Sequence, residues 1–466
     1  MKKVLLINPA KDDAFVVNRL HMGLTLLGGI LDARGHTVRI MDYAFLKSIK
    51  DKLEIPSIEQ VIGEFQPDVI GMTVFSYVYD ESLDLIERIA KCSEAPILLG
   101  GPHFIMFPAD FQENAHVSYT VKGEAETVIV NLVENARKNT PPVRIVCTAP
   151  APEEIPSANL ELAFGSEYLE VYQIQLSRGC PFQCNFCNVR LVAGQKMRYR
   201  DISLCVEQIV EAKKKYPSIH SVVLTDDVPI IKKDRFKLFL KAFISANLGC
   251  ELMIDNVRAD LLDEETVKLY VAAGGRNICL GVESGHPEVF KMTHKGESLD
   301  KIAIAAKLVK ENNLLLGLCF VIGLPGDTLH KHLSSINFAK TLEPNYVFWN
   351  MCVPWPETEV REWFDKNGEV GELRNFSTII DPHVNYNVPR ASSHDFPTGD
   401  RIKAWFMANL ETYQFSPKSI GKVIRESIKL GLYRSLAIYL LGKPMHVVST
   451  RISVLVKALK RFRMKS

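Results

Sequence analysis

Three cysteines stand close together in SRGCPFQCNFCNVR, residues 177–190: Cys180, Cys184 and Cys187. The chain holds ten cysteines, and no other two lie so near each other. Thiolates are soft ligands that select zinc, copper(I) or iron–sulfur clusters. A structural zinc site wants four protein ligands and is closed. Here no fourth Cys or His follows within fifteen residues, and the next, Cys205, falls inside a predicted helix. Three thiolates on a short loop suit a four-iron cluster with one iron left without a protein ligand. An open iron can bind a substrate, which a purely electron-carrying cluster does not need. A zinc-bound loop and three buried thiols remain as alternatives on spacing alone.

The elements that must position this loop are legible on both sides of it. VYQIQL (171–176), SVVLT (221–225), CELMI (250–254), NICLGV (277–282), LLLGLCFVIG (314–323) and NYVFWN (345–350) read as strands, with helical patterns such as SLCVEQIVEAKKKY between them. Six strand–helix repeats predict most of a parallel β/α barrel, whose chemistry belongs at the carboxyl ends of its strands. The cysteine stretch begins there, directly after the first barrel strand. Upstream, KVLLIN (3–8), HTVRIM (36–41), DVIGMTV (68–74), APILLGG (95–101) and HVSYTV (116–121) alternate with amphipathic helices, over roughly 20–34 and in EAETVIVNLVENARK. Short apolar strands so separated imply a parallel sheet covered on both faces, with a ligand at its carboxyl edge. Small or flexible residues stand at those strand ends: Asn8, Thr73 to Ser76, Gly100, Gly101 and His103, then Gly123 and Glu124. The expected fold class is therefore α/β: a doubly wound, Rossmann-like domain over 1–140, a Pro-rich linker over 141–166, a partial (β/α)6 TIM-type barrel over 167–365, and a C-terminal region over 366–466 that is basic and helical at its end.

The pattern C-x-x-x-C-x-aromatic-C, here Cys180, Cys184, Phe186 and Cys187, resembles the radical S-adenosylmethionine (SAM) enzymes. The resemblance implies that the three cysteines hold a [4Fe-4S] cluster and that SAM chelates the fourth iron. One electron from the cluster would then cleave the sulfonium to methionine and a 5′-deoxyadenosyl radical, the cofactors carrying the hard chemistry and the barrel supplying orientation. Matching more loosely, Asp226 and Asp227 end the second barrel strand, Arg258 follows the third and could pair with a carboxylate, and Glu283 and Ser284 end the fourth; with Phe186 these are the expected SAM contacts. Asp226 and Asp227 could equally cap the next helix, and Arg258 could be a surface ion pair. Beyond the cluster cysteines no catalytic residue is assigned. Cys205, Cys250, Cys279, Cys319 and Cys352 read as small buried hydrophobes.

The order of domains resembles the cobalamin-binding radical SAM subfamily, on the phrases MGLTLLGGILDARGHTVRIMD, PDVIGMTVFS, LLGGPH and VKGEAET, so that with the barrel the likeness covers roughly residues 1–360. It implies cobalamin as a cofactor, held by Asn8, Thr73, Ser76, Gly100, Gly101, His103, Gly123 and Glu124, and methyl transfer to an unactivated carbon of a hydrophobic small molecule or lipid. Ring closure, coupling or oxidation is the alternative, with or without cobalamin. The D-x-H-x-x-G motif is absent from residues 1–140, and neither His21 nor His103 fits it; members of the subfamily usually lack that motif too. A flavodoxin or ferredoxin is the expected reducing partner.

Bulk properties agree with a globular protein: 47% hydrophobic and 24% charged residues over 466 positions. The N-terminus reads as a strand rather than a signal peptide, which places the chain in the cytoplasm, where clustered cysteines do chemistry more often than they form disulfides. Net charge is +2, but Pro417 to Ser466 holds twelve Lys or Arg against one acid, Glu426, so this tail carries +11 and the remainder −9. Apolar residues with Lys and Arg at helical spacing favour an interfacial helix on anionic lipid; a packed helix with a solvated basic face is the other reading. Few aromatics and an acidic remainder argue against nucleic acid.

Overall fold

The computed structural model describes residues 1–11, 18–255, 257–375, 389–414 and 420–440. Residues 441–466, most of the basic tail, lie outside the described residues, and with them the expected membrane-surface helix. Among the described residues no helix is long and apolar enough to cross a membrane. The chain forms two compact units. One comprises Met1–Pro181, Asn188–Asp255 and Leu373–Thr378; the other comprises Phe182–Cys187, Asn256–Glu372 and Ile379–Ser466. Cys180 thus closes a stretch of the first unit, while Cys184 and Cys187 belong to the second.

In the first unit the apolar runs form a six-stranded sheet in the order β2-β1-β3-β4-β5-β6. Its strands are β1 (Lys3–Asn8), β2 (Thr37–Asp42), β3 (Val69–Thr73), β4 (Ile97–Gly100), β5 (Val117–Lys122) and β6 (Val143–Val146), all pairing in parallel. Val4, Leu5, Ile7, Val69, Ile70 and Leu99 are fully buried, as a parallel sheet with both faces covered requires. The sixth strand departs from the expected linker. Residues 141–166 are an ordered part of this unit: β6 extends the sheet, and Ala163 forms a parallel bridge with Ile40. The segment's prolines flank an edge strand, where a missing N–H is tolerated. The expected helix over 124–138 is shorter, Ile129–Glu134. The helix after β1, Met22–Ala33, is capped by the His21 side chain, which accepts from the Leu24 N–H.

The same unit carries the first three barrel strands, β7 (Val171–Ile174), β10 (Ser221–Leu224) and β11 (Glu251–Ile254), as a parallel sheet in the order β11-β10-β7. A small antiparallel pair, β8 (Ser177–Arg178) with β9 (Arg198–Tyr199), brackets the root of the cysteine stretch. The second unit holds the other three barrel strands, β12 (Asn277–Glu283), β13 (Leu315–Ile322) and β14 (Tyr346–Met351), again parallel and in that order. An isolated parallel bridge joins Val257 to Leu280 in β12. Downstream, the helix Thr398–Glu411 packs into this unit through Trp405, whose indole donates to the Trp349 carbonyl at 3.1 Å. Trp349 is itself fully buried and donates to Thr412 Oγ1 at 3.0 Å. It is core.

Candidate active site

In the first unit a cavity of about 230 Å³ opens between the carboxyl edge of the sheet and the helices Met22–Ala33 and Ile129–Glu134. Strand ends supply its floor: Leu6, Met72, Thr73, Leu99, Gly100 and Val121, with His21, Glu124, Glu126 and Arg178 as its polar wall. Two glycines of the lining are required by backbone geometry. Gly101 has φ +104° and Gly123 φ +106°, and a Cβ on Gly101 would come within 2.7 Å of Thr73 Oγ1 and Val74 O. Gly100 differs: a Cβ there meets nothing nearer than Val121, at 3.9 Å. Its bareness keeps the cavity open. A pocket this size is below the roughly 300–1,000 Å³ that buries a whole drug-sized molecule, so it has room for one part of a large cofactor and not all of it.

Five of the residues expected at this edge, Thr73, Gly100, Gly101, Gly123 and Glu124, line the cavity. Three do not. Asn8 is buried and donates to Asp42 Oδ1 at 2.7 Å. Ser76 and His103 are paired with each other, Oγ to Nδ1 at 3.0 Å, and His103 Nε2 meets Asp110 Oδ2 at 3.0 Å. Asp110 also accepts a two-pronged contact from Arg374 at 2.6 and 2.9 Å. Burial pulls the Asp110 carboxyl up, but the bonds from His103 and Arg374 outweigh it and hold it at about 2. With Phe104, Phe107 and Phe111 around it, His103 has both ring nitrogens engaged and the network joins residues 373–375 to the first domain. His21, set aside in the sequence for want of a motif, does line the cavity. Its Nδ1 accepts from the Leu24 N–H at 3.1 Å, which leaves the proton on Nε2, 3.5 Å from Thr73 Oγ1. Burial lowers its pKa against the pull of Asp42, so the ring is a neutral donor.

The root of the cysteine stretch is fixed by two aspartates. Asp226 is fully buried and accepts from the Leu176 and Ser177 N–H groups at 2.9 and 2.6 Å and from Ser177 Oγ at 2.7 Å. Burial pushes its carboxyl up to about 6 against those bonds. Asp227 accepts from Gly179 N at 2.9 Å. Both act on backbone, as struts under residues 176–179. Gly179 has φ +99°, and a Cβ would lie 2.6 Å from the Lys196 carbonyl, so only glycine fits before Cys180. Cys180 N donates to Gly194 O at 3.0 Å.

In the second unit the loop that carries Cys184 and Cys187 is held by Asn185. Its N–H donates to Thr293 O at 3.0 Å, its Nδ2 to Met292 O, and its carbonyl accepts from Val360 N at 3.3 Å. Phe186 packs on a core of Val289, Leu324, Cys352, Val360 and Phe364. Arg258 is buried and already engaged: its guanidinium lies 3.6 Å from the Phe182 ring centre, pairs with Asp260 and donates to Lys295 O at 2.8 Å. Glu283 takes the left-handed conformation, φ +66°, and its carboxylate meets Lys295 Nζ at 3.0 Å. Lys295 also faces Glu297 at 2.9 Å. Burial pulls the Lys295 ammonium down, but the two glutamates outweigh it and hold it above its ordinary value. Ser284 is buried, 3.4 Å from Ser335 Oγ, and caps the His286 N–H. Asn185 and Lys295 carry no local signal in the sequence; Arg178, two residues before the first cysteine, could have been found from its position.

The donor chemistry fits an iron cluster. None of the ten cysteines is in a disulfide. Burial pushes the Cys184 thiol up to about 11, with Lys295 and Arg258 pulling the other way, and a bound metal is what deprotonates such a thiol. Among the described residues no three His, Cys, Asp or Glu converge on a single-ion site; thiolates of a four-iron cube sit on different irons and need no such convergence. Cys205, Cys250 and Cys352 are buried as expected, whereas Cys279 and Cys319 are only half-buried.

Comparison with known proteins places both halves. Residues 19–155 match the B12 binding domain and residues 174–339 the radical SAM superfamily. An uncharacterized methyltransferase of Pyrococcus horikoshii is 25% identical over 81% of this chain and 86% of its own. The anaerobic magnesium-protoporphyrin IX monomethyl ester cyclase of Rubrivivax gelatinosus is 25% identical over 76% of this chain and 68% of its own. The solved structure of the radical S-adenosylmethionine methyltransferase TsrM of Kitasatospora setae, with tryptophan substrate and a SAM analogue bound, shares the fold at TM-score 0.66 and 17% identity, over 90% of each chain. The radical SAM domain brings with it a [4Fe-4S] cluster and SAM, and the B12-binding domain brings cobalamin. The chain is a radical SAM enzyme of the cobalamin-binding kind.

Proposed function

We propose that this enzyme transfers a methyl group to an unactivated carbon of a hydrophobic small molecule or lipid. One observation carries the reading: the glycine-walled cavity of the B12-binding domain shares a wall residue, Arg178, with the strand that leads into Cys180. When bound, cobalamin supplies a methyl carrier, and the cluster with SAM supplies a radical able to abstract hydrogen. The chain's own residues do the positioning. Thr73, Gly100, Gly101, Gly123, Glu124 and His21 would receive an end of cobalamin, His21 as a neutral donor. Cys180, Cys184 and Cys187 would hold the cluster. Phe186, Arg258, Glu283 and Ser284 would form the SAM side, with Arg258 and Glu283 held in place by Asp260 and Lys295; Asp226 and Asp227 serve the loop's backbone. The named methyltransferase of Pyrococcus horikoshii supports this reading. The named cyclase of Rubrivivax gelatinosus favours a second one, a non-methylating cyclisation, coupling or oxidation.

The test is anaerobic reconstitution with hydroxocobalamin, desalting, and a cobalt-to-protein ratio, followed by incubation with SAM and a reductant. Near-stoichiometric cobalt with S-adenosylhomocysteine formed only when cobalamin is present supports methyl transfer. 5′-Deoxyadenosine without S-adenosylhomocysteine selects the second reading. Cys184→Ala should lose iron and both products; full activity in that variant would refute the cluster assignment. A flavodoxin or ferredoxin as reductant, and contact of the basic tail with anionic lipid, belong to the same proposal and rest on the sequence. Sedimentation with anionic liposomes at low salt tests the latter, and protein left in the supernatant refutes it.

A further inference from the structure

Four charged side chains of the first unit meet where the cavity wall joins the root of the cysteine stretch. Arg178 Nη1 donates to Glu126 Oε1 at 2.7 Å and also reaches Glu124 Oε2. Its Nε donates to Gln175 Oε1 at 2.9 Å. Arg198, directly opposite Arg178 in the β8–β9 pair, donates to Glu124 Oε2 at 2.9 Å, grips the other oxygen as well, and reaches Pro150 O at 3.0 Å. The Arg178 and Glu126 side chains are 9% and 7% exposed, so the cluster is largely out of water. Two like charges side by side in a strand pair would repel; here Glu124, just beyond β5, bridges the two, and Glu126 adds a second carboxylate on Arg178. Fork-shaped guanidinium contacts of this kind fix geometry as well as charge.

The placement has two ends. Glu124, Glu126 and Arg178 face the cavity. Arg178 is also the residue before Gly179, which is locked by Asp227 and by its lack of a side chain, and Gly179 precedes Cys180. A ligand that orders the cavity wall therefore orders the backbone that presents one cluster cysteine, and ordering already supplied by one ligand need not be supplied again by a second. We infer that Arg178, with Glu124, Glu126 and Arg198, is a positioning cluster that links occupancy of the cobalamin cavity to the cluster side of the enzyme, so that cobalamin and SAM bind cooperatively. This rests on the proposal that the cavity takes cobalamin.

The experiment uses the full chain with its iron cluster reconstituted. SAM affinity is measured with and without saturating hydroxocobalamin, and hydroxocobalamin affinity with and without SAM. In the wild type each ligand should tighten the other by about tenfold, and by the same factor in both directions, since linkage is reciprocal. Arg178→Gln should keep its iron, and whatever the change does to hydroxocobalamin affinity measured alone, the factor by which each ligand tightens the other should fall to about one. Arg178→Lys should restore part of it, and Glu126→Gln, a milder change on the far partner, should reduce it. A role in stability alone would lower the melting temperature and leave the factor unchanged. Wild type that binds cobalamin without affecting SAM affinity overturns the inference, as does an unchanged factor in both Arg178→Gln and Glu126→Gln. Wild type that binds no cobalamin overturns the functional reading itself, a distinguishable result. If Arg178→Gln fails to retain iron, the factor in Glu126→Gln and Arg178→Lys decides.

Discussion

Lys295→Met should damage the second unit far more than a surface lysine would. The ammonium is 5% exposed and lies 3.0 Å from Glu283 and 2.9 Å from Glu297, whose side chain is wholly buried. Removing the cation leaves two carboxylates uncompensated in a dry setting, and breaking such a buried pair from one side costs about 3–5 kcal/mol. For a body of 150–250 residues each kcal/mol moves the midpoint by about 2–4 °C, so a fall of roughly 6–20 °C is expected. The assay is built into the chain. All four tryptophans, Trp349, Trp355, Trp363 and Trp405, lie in the second unit, so thermal unfolding followed by tryptophan fluorescence reports on the region where Lys295 sits. Lys295→Met with Glu297→Gln should regain about 1–3 kcal/mol, because residues of one network are not additive. A single variant that melts with the wild type, or a double variant whose losses simply add, would refute the idea that the lysine neutralises this pair. Gly281 supports the same arrangement: a Cβ there would lie 2.7 Å from Glu283 Oε1 and 2.9 Å from Lys295 Nζ, so Gly281→Ala should show a similar defect.

Other consequences follow from the first unit. Gly100→Ala places a methyl group in open space on the cavity wall, so it should leave the fold intact and weaken hydroxocobalamin binding about tenfold; Gly101→Ala, forced into a left-handed backbone with atoms 2.7 Å away, should destabilise the domain as well, by more than about 1 kcal/mol. Equal behaviour of the two in urea titration and cobalt retention would contradict the cavity geometry. Asp226 has its carboxyl raised from 3.8 to about 6 by burial. A folded pKa above the unfolded one means the folded protein holds more protons, so this group's contribution falls as pH rises through the two values, by about 3 kcal/mol in all and by about 2 kcal/mol between pH 4 and 6. Comparing Asp226→Asn with wild type at those two pH values should show the difference, and a pH-independent gap would refute it. Arg374→Ala and Asp110→Asn should couple by about 1 kcal/mol or more in a double-mutant cycle; additive losses would mean that the Ser76–His103–Asp110–Arg374 chain does not hold residues 373–375.

What could be read from sequence and what could not differ in range along the chain. The cysteine stretch and the strands around it were legible because their signals are local: three thiols at fixed spacing, and apolar runs of strand length bounded by turns. β6 was hidden because its four residues are mostly exposed at a sheet edge, so they carry no apolar run, and the prolines on either side speak for a linker. The strand-end residues of the first domain were a mixed set for a related reason. Position alone puts Ser76 and His103 at the ligand edge with Thr73 and Gly101, but the loops after β3 and β4 turn the first two towards each other, and a histidine with both nitrogens satisfied has nothing left to offer a ligand. Asp226 and Asp227 stood where a cofactor contact was expected; their partners, the N–H groups of residues 176, 177 and 179, are almost fifty residues away and invisible to any local pattern. Lys295 is the extreme case, a lysine on a polar stretch with no periodicity, whose meaning comes only from the two glutamates folded against it. Sequence thus named the cysteines proposed to hold the cluster, while the contacts that fix the surrounding backbone are tertiary facts, and the charged residues that make such contacts, Arg178 and Lys295, are where substitution can separate positioning from ligation.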